Sequence, residues 1–401
     1  MTSSTVRPRL VMADGPDGPL PDPATVAALA GFDDPEVILG WIVRTPAWLA
    51  TTALPVTTLQ TGPGTRAAVA AGRVRPVTSR LSAVPRLLAG RLRPAVAVVA
   101  AYPDGKGWRL AGSPAWAGTA ARCADAVVIE RWPAPSSSSP GSPGSPGPPG
   151  PPGPFLDASV VAVLDRTDPL DPLPPANRAG PEHRRIGELV AGLIPEGATI
   201  QWGPGVIGAS VVEAVTSPVR VRSGLVTDEL VALSRRGLLI GAAEAAYLWG
   251  GPDLWEMTGG RTPLLSLLGV EHTHDLTALS AIEGLVAINT ALQVGLDGAV
   301  NVEKVGGRVV AGPGGHPDFC AAASRSPGGL SIVALPSTAG DRSTIVATPE
   351  VVSTPRSDVD VVVTEHGVAD LRHLDDRERA VRLISVAAPE HRPALQSVAS
   401  L

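Results

Sequence analysis

Four short stretches of this 401-residue chain combine residue types and spacings that could do chemistry. In VEHTHD (270–275), His272 and His274 stand two residues apart, flanked by Glu271 and Asp275. On a strand, residues i and i+2 share a face, so this pair would suit a Zn²⁺ ion, although a metal hydrolase needs further ligands. Polar loop residues without a metal fit the same pattern. In GPGGHPDF (312–319), Gly312, Gly314 and Gly315 with two prolines surround His316. Adjacent glycines let a ligand approach the backbone and can form an anion-binding nest, and an ordinary turn reads the same way. The turn Gly203-Pro204-Gly205, with Gly208 three residues on, lies where a strand passes into a helix. Backbone N–H groups there can meet an anion with the help of the helix dipole, though Pro204 removes one donor and a bare tight turn is as good a reading. Finally, in VTEHGVADLR (363–372), Glu365 and His366 sit where an apolar strand ends, the usual place for a site in a parallel α/β sheet. No G-x-S-x-G elbow and no G-x-x-x-x-G-K-[ST] loop occurs, which disfavours an α/β-hydrolase and excludes P-loop chemistry.

The elements that must hold these stretches are legible to different degrees. Ile186, Leu189, Val190, Leu193 and Ile194 follow helical spacing, and Pro195 and Gly197 stop that helix. ATIQW then predicts a strand, GPG a turn and VIGASVVEAV a second helix, together an α/β unit. VRVR (219–222) predicts the next strand, with Asp228 placed to cap a helix over 230–236. Further strands are predicted at 285–289, 291–296, 330–336 and 359–364, and a helix at 375–388 opens on Asp375, Asp376 and Glu378, which suits a positive helix start. Toward the amino terminus the apolar runs 95–101, 125–132 and 157–165 lack clean alternation, the mark of strands covered on both faces.

Composition narrows the classes. The formal charge is −5 and the hydrophobic fraction 44%, so a nucleic-acid partner is disfavoured and a sizeable core is expected. Two cysteines, Cys123 and Cys320, rule out a disulfide framework. The opening residues lack the apolar core of a secretory signal, and no apolar run is long enough to span a bilayer; both point to a cytoplasmic protein with no membrane partner. Arginine almost replaces lysine, as in high-GC bacterial genomes. Residues 136–154, SSSSPGSPGSPGPPGPPGP, repeat glycine every third position but are too short for a collagen helix; they read as a disordered, extended loop. The division expected is a shortened amino-terminal domain over 1–178 that contains this loop, and a carboxy-terminal domain over 179–401.

Taken in order, GATIQWGPGVIGASVVEAV, LVAINTALQVGLDGAVNVEKVGG, GPGGHPDFCAAASRSPGGLSIVALPST, VSTPRSDVDVVVTEHGVADLR and RERAVRLISVAAPEHRPAL resemble the acetyl-CoA hydrolase/transferase family, which includes acetate and 4-hydroxybutyrate CoA-transferases. The resemblance covers most of 184–393 and is looser before it. It implies two related α/β domains with mostly parallel sheets and an active site in the cleft between them. It also implies an acyl-CoA and a small carboxylate as partners, coenzyme A as substrate with no tightly bound cofactor, and it leaves a homo-oligomer open. In such enzymes a glutamate carboxylate attacks the thioester, forming a mixed anhydride and then a glutamyl-CoA thioester, with backbone donors holding the oxyanion. The family's GGQ-type loop corresponds to Gly314, Gly315 and His316, and Gly203 and Gly205 join them as expected CoA-contacting residues. The family's H-[ST]-E-[MV]-x-x-D corresponds to Arg222-Ser223-Gly224-Leu225-Val226-Thr227-Asp228. Glycine stands at the nucleophile position, and glycine cannot form an anhydride. Three readings follow: another acid, Glu271, acts as nucleophile or as general base for water; Gly224 makes room for a larger acyl group; or the chain binds acyl-CoA without turnover. Glu365 matches the family's T-E-x-G and reads as structural or substrate-positioning.

Overall fold

A computed structural model describes residues 7–105, 107–132, 155–166, 179–259 and 262–399. The 136–154 repeat lies outside the described residues. The contacts sort the chain into two units, Met1–Pro172 with Ala245–His272, and Leu173–Glu244 with Thr273–Leu401.

In the first unit the apolar runs at 95–101 and 125–132 become strands buried on both faces, as in Val96–Asp104, whose first seven residues are all buried, whereas the run at 157–165 gives Val160–Asp165, whose residues alternate between part-buried and exposed because nothing pairs with it on its outer side among the described residues. Its strands are β1 (Arg9–Met12), β2 (Glu36–Leu39), β3 (Val56–Thr58), β4 (Val74–Pro76), β5 (Val96–Asp104), β6 (Gly107–Leu110), β7 (Ala126–Arg131) and β8 (Val160–Asp165). They run in the order β4-β3-β2-β1-β5-β7-β8, all parallel, with β6 folded back antiparallel on β5. The helices among them are α1 (Pro23–Ala30), α2 (Pro63–Ala70), α3 (Val84–Ala89) and α4 (Ala117–Cys123). Although the sequence reads as shortened at its start, β1, α1 and β2 form a complete parallel unit. The Asp22 side chain accepts the Thr25 N–H at 2.9 Å to start α1, and Gly31 ends it in the left-handed region.

The contiguous division at 178/179 misses one exchange, because Ala245–His272 packs with the first unit. Aromatic contacts supply the reason. Tyr247 donates its hydroxyl to Asp14 at 2.7 Å, Trp249 meets Trp41 edge-on at 5.6 Å, and Trp255 lies 6.4 Å from Trp132. These contacts tie the segment to residues of the first unit's sheet and loops.

The second unit contains α5 (Pro181–Ala191), β9 (Thr199–Trp202), α6 (Val206–Ala214), β10 (Arg220–Val226) and α7 (Glu229–Arg235). The chain then crosses to the first unit through β11 (Ala243–Leu248), α8 (Pro252–Glu256), β12 (Leu265–Leu267) and α9 (Val270–Thr273), and resumes with α10 (Leu276–Ser280), β13 (Leu285–Asn289) and α11 (His316–Ala323). Within this unit β10, β9 and β13 lie side by side in parallel, followed by the parallel strands Leu330–Ala334 and Val361–Thr364 and the antiparallel Gly367–Asp370. α12 (Asp376–Val386) starts on a reciprocal capping box between Asp375 and Glu378.

Strand order turns at β9, which has β10 on one side and β13 on the other. In an open parallel sheet the crevice outside the carboxyl ends at such a reversal is where ligands bind. The predicted α/β architecture is therefore present in both units, and the second places the glycine turn after β9 at its reversal point.

Candidate functional site

Four segments meet at the carboxyl edge of the second unit's sheet. The first is the turn after β9. Gly203 leaves the strand with its N–H on the Ile288 carbonyl at 3.1 Å, tying the turn to β13. Gly205 has φ +119° at the start of α6, a conformation that favours glycine. No atom stands within 4 Å of a side-chain position at either residue, so both backbones are open. Gly208 differs: a Cβ there would lie 2.1 Å from the Gly203 carbonyl oxygen. It lets α6 pack against the turn, as the third glycine of such a pattern does.

Next to the turn, Ser223 on β10 donates its hydroxyl to the Trp202 carbonyl at 3.2 Å. On the other side the side chains of Gln201 and Asn289 exchange hydrogen bonds across β9 and β13 at 3.1 and 3.3 Å. Asn289 also reaches the Cys320 Sγ at 3.6 Å. Cys320 is fully buried, and burial pushes its thiol up to about 12, so it is not a thiolate nucleophile at neutral pH.

The Gly314–Gly315–His316 loop enters α11 from the same edge. Gly314 adopts φ +58° with open space beside it. His316 bonds through Nδ1 to the Thr354 hydroxyl at 2.8 Å. Burial pulls its basicity down to about 4, so the ring is neutral, and its buried Nε2 has no hydrogen-bond partner.

His274 joins the loop to β10. Its ring is fully buried, lies edge-on to Phe319 with centroids 5.1 Å apart, and shares a 2.9 Å hydrogen bond between Nδ1 and the Thr273 hydroxyl. A Cβ at Gly224 would stand 3.0 Å from His274 Nε2, and one at Gly315 only 2.5 Å from the same atom. The imidazole edge thus occupies the side-chain space of both glycines and brings position 224 and the Gly-Gly-His loop onto one group. Burial first, and then the charge of Arg222, lower the His274 pKa to about 3. It is a neutral imidazole whose Nε2 is buried without a partner. His274 and Phe319 thus close in on the side-chain space of position 224.

The remaining sequence candidates lie as follows. Glu271 is on α9 in the first unit; its Oε1 accepts from Arg122 at 3.1 Å, and its Oε2 is buried without a partner. Residues 270–273 turn as a helix and not as a strand, so the same-face argument for His272 and His274 does not apply. Among the described residues no group of three or more His, Cys, Asp or Glu side chains could hold a metal ion. Glu365 and His366 form the turn of the closing hairpin. The Glu365 carboxylate accepts from the Ser337 N–H at 2.9 Å and the Ser337 hydroxyl at 2.5 Å. Burial alone would raise its pKa, but these bonds outweigh burial and hold it below the usual range. Asp228 stands at the start of α7 without a side-chain capping bond.

The first unit carries a buried acidic pair that no motif announces. After β1, Asp14 accepts the Trp41 N–H at 3.0 Å and the Tyr247 hydroxyl at 2.7 Å, and burial pushes it up to about 7. Asp17, raised by burial too, accepts the Ser113 N–H at 2.5 Å. The cavity they line with Trp116 measures about 20 Å³, room for about one water molecule and no more.

Residues 250–399 match the family model for the acetyl-CoA hydrolase/transferase C-terminal domain. The chain is 32% identical over 235 residues to 4-hydroxybutyrate coenzyme A transferase of Clostridium kluyveri, an alignment that takes in 55% of this chain and 54% of that protein. It is 29% identical over 228 residues to acetyl-CoA hydrolase of Candida glabrata, covering 52% of this chain and 42% of the other. The chain spans about half the length of the curated relatives it matches. Its fold superposes on RipA from Yersinia pestis with a TM-score of 0.82 at 24% identity, over 99% of this chain and 94% of that one. It also superposes on 4-hydroxybutyrate CoA-transferase from Porphyromonas gingivalis with a TM-score of 0.72 at 24% identity, over 97% and 92%. Among the described residues no helix is long and apolar enough to cross a membrane.

Proposed function

The chain belongs to the acetyl-CoA hydrolase/transferase family, and from that premise we propose that it acts on a short acyl-CoA thioester, as an acyl-CoA hydrolase or a CoA-transferase to a small carboxylate, without a carboxylate at position 224. The observation that supports this reading most is the convergence of Gly224 and Gly315 on His274. It joins the end of β10 to the Gly-Gly-His loop, as a shared thioester pocket requires. The open space beside Gly203, Gly205 and Gly314 gives room for a CoA ester to approach the backbone, with the start of α6 favouring its phosphate oxygens.

The chemistry then falls to an acid elsewhere. Glu271 is the candidate: Arg122 holds one oxygen and leaves the buried Oε2 without a partner, so the carboxylate can take a proton from water or attack a carbonyl carbon. The mixed anhydride of the family's transferases would form at this residue if transfer occurs, and would be bypassed if water attacks directly.

The test is incubation of the purified protein with acetyl-CoA, propionyl-CoA and butyryl-CoA, with and without acetate, following free thiol and CoA exchange. Thiol release without acetate identifies a hydrolase; exchange that needs acetate identifies a transferase. Glu271→Gln should lower either by about 10²-fold or more, and an unchanged rate in that variant removes Glu271 from the mechanism. A second reading, acyl-CoA binding without turnover, is favoured by the filled space beside Gly224. It predicts binding of CoA esters with no thiol release for any of them.

A further inference from the structure

The acidic pair of the first unit borders a cavity, and two polar atoms there are left over. Strand order in this sheet turns at β1, which has β2 on one side and β5 on the other. The loop leaving β1 carries Asp14 and Asp17, both buried. Most of their oxygens are committed. Asp14 accepts the Trp41 N–H at 3.0 Å and the Tyr247 hydroxyl at 2.7 Å. Oδ2 of Asp17 accepts the Ser113 N–H at 2.5 Å, an approach that Gly112 permits, because a Cβ there would lie 2.4 Å from that oxygen. Oδ1 of Asp17 and Nε1 of Trp116 remain. Both are buried without a hydrogen-bond partner, on residues only 3% and 2% exposed. Leaving such atoms unpaired costs free energy, and buried polar atoms are normally met by protein or by ordered water.

Asp17 and Trp116 line the same cavity of about 20 Å³, with Asp14, Ser113 and small apolar residues such as Ala100 and Ala111 around them. That size admits one water molecule and no organic ligand. The chemistry of the two free atoms selects among small occupants. An indole N–H can only donate, and an ionised carboxylate oxygen can only accept, so the occupant must accept at one point and donate at another. Water does both, and it also meets Oδ1 when Asp17 is protonated, since it can accept from a carboxylic acid. A metal cation asks for a shell of oxygen ligands, whereas Trp116 presents an N–H and the other carboxyl oxygens already receive donors. An anion would face two acidic side chains. We propose that the first unit holds a resident water molecule between Asp17 Oδ1 and Trp116 Nε1. This water ties the loop after β1 to Trp116 at the start of α4.

Two measurements on the full chain test this. With ¹⁵N-labelled tryptophan the protein gives eight indole signals, and Trp116→Phe identifies that of Trp116. In the wild-type protein this signal should show Overhauser transfer from a long-lived water. The transfer should persist in Ser113→Ala, which removes the only hydroxyl side chain lining the cavity and so any relay through it. Water ¹⁷O relaxation dispersion should count one long-lived water fewer in Trp116→Phe than in the wild type. No transfer in the wild-type protein, its loss in folded Ser113→Ala, or an equal water count in folded Trp116→Phe overturns the proposal. A shift of the Trp116 signal with sodium or ammonium chloride, but not with tetramethylammonium chloride, identifies a cation and overturns it as well. Should Trp116→Phe not fold, the signal is assigned through its connectivity to Ala117, and the transfer decides alone.

Discussion

At the scale of single residues, the interlock of Gly224, His274 and Gly315 carries a stability prediction that stands apart from any activity. Gly315 has φ −88°, so alanine meets no backbone strain there, yet its Cβ would come within 2.5 Å of Nε2 and 2.7 Å of Cδ2 on a fully buried ring. Overfilling of this kind costs about 1–3 kcal/mol. His274→Ala also destabilises, by leaving a cavity behind Phe319. In the double variant the methyl group enters space that the ring has vacated, so the two losses should fall short of additivity by about 1 kcal/mol. Denaturant melts of the four proteins measure this, and strict additivity would show that the ring and Gly315 are not in contact. The same geometry bears on Gly224→Glu. A Cβ at 224 would stand only 3.0 Å from His274 Nε2 and crowd the ring, so the single substitution should lower stability and yield little acetate-dependent CoA exchange. Gly224→Glu with His274→Gly opens the space and is the form in which such exchange would arise. None of this was legible in the sequence. Gly224 stood out as a missing carboxylate, but what fills its space arrives from fifty residues downstream by tertiary packing.

Elements were far more legible than contacts, because hydrophobic period and turn chemistry are local signals. The unbroken apolar runs at 96–101 and 285–289 became strands buried on both faces, and Asp375 with Glu378 became the capping box of α12. The G-x-G-x-x-G spacing placed the turn after β9 correctly, and the structure divides labour within it. Gly208→Ala would drive a methyl to 2.1 Å from the Gly203 carbonyl and so push α6 away from the sheet. It should cost about 2–3 kcal/mol and lower Tm. Gly203→Ala meets nothing within 4 Å and should leave Tm unchanged, while a CoA ester lying on this turn would then bind more weakly. A Gly203→Ala protein that melts early would show that the turn is structural only. Local signals fail where an element's partner is remote. VEHTHD reads as readily as strand or loop, yet residues 270–273 close a helical turn because Val270 donates to the Ala115 carbonyl and His272 to that of Gly269. The return of Ala245–His272 to the first unit rests on pairs such as Tyr247 with Asp14, which are 233 residues apart, and no window of sequence contains both.

For the whole molecule, the two buried histidines of the second unit and the buried carboxylates of the first have opposite protonation preferences, so acid should act on these groups in opposite directions. In the second unit His274 and His316 are held at about 3 and 4 by burial, below the ordinary 6.5. Between those limits the unfolded chain binds protons that the folded unit refuses. Stability is therefore full above pH 6.5 and is lost as pH falls toward 4, by up to about 3 kcal/mol per pH unit where both groups count. In the first unit burial raises Asp14 from 3.8 to about 7, and Asp17 and Glu130 move upward as well. Here the folded form binds the extra protons, so stability is full below pH 3.8 and declines as pH rises to 7. Hydrogen exchange read by mass spectrometry, corrected for the intrinsic pH effect, resolves the two. From pH 7.5 to pH 5 the amides of β9, β10 and α11 should lose protection while those of β1 and β5 gain it. Asp14→Asn keeps the shape but cannot ionise, and it should flatten the first unit's response without altering the second's. If both units instead weaken together on acidification, Asp14 is ionised in the folded protein at neutral pH, and its bond from Tyr247 is that of a phenol to a carboxylate.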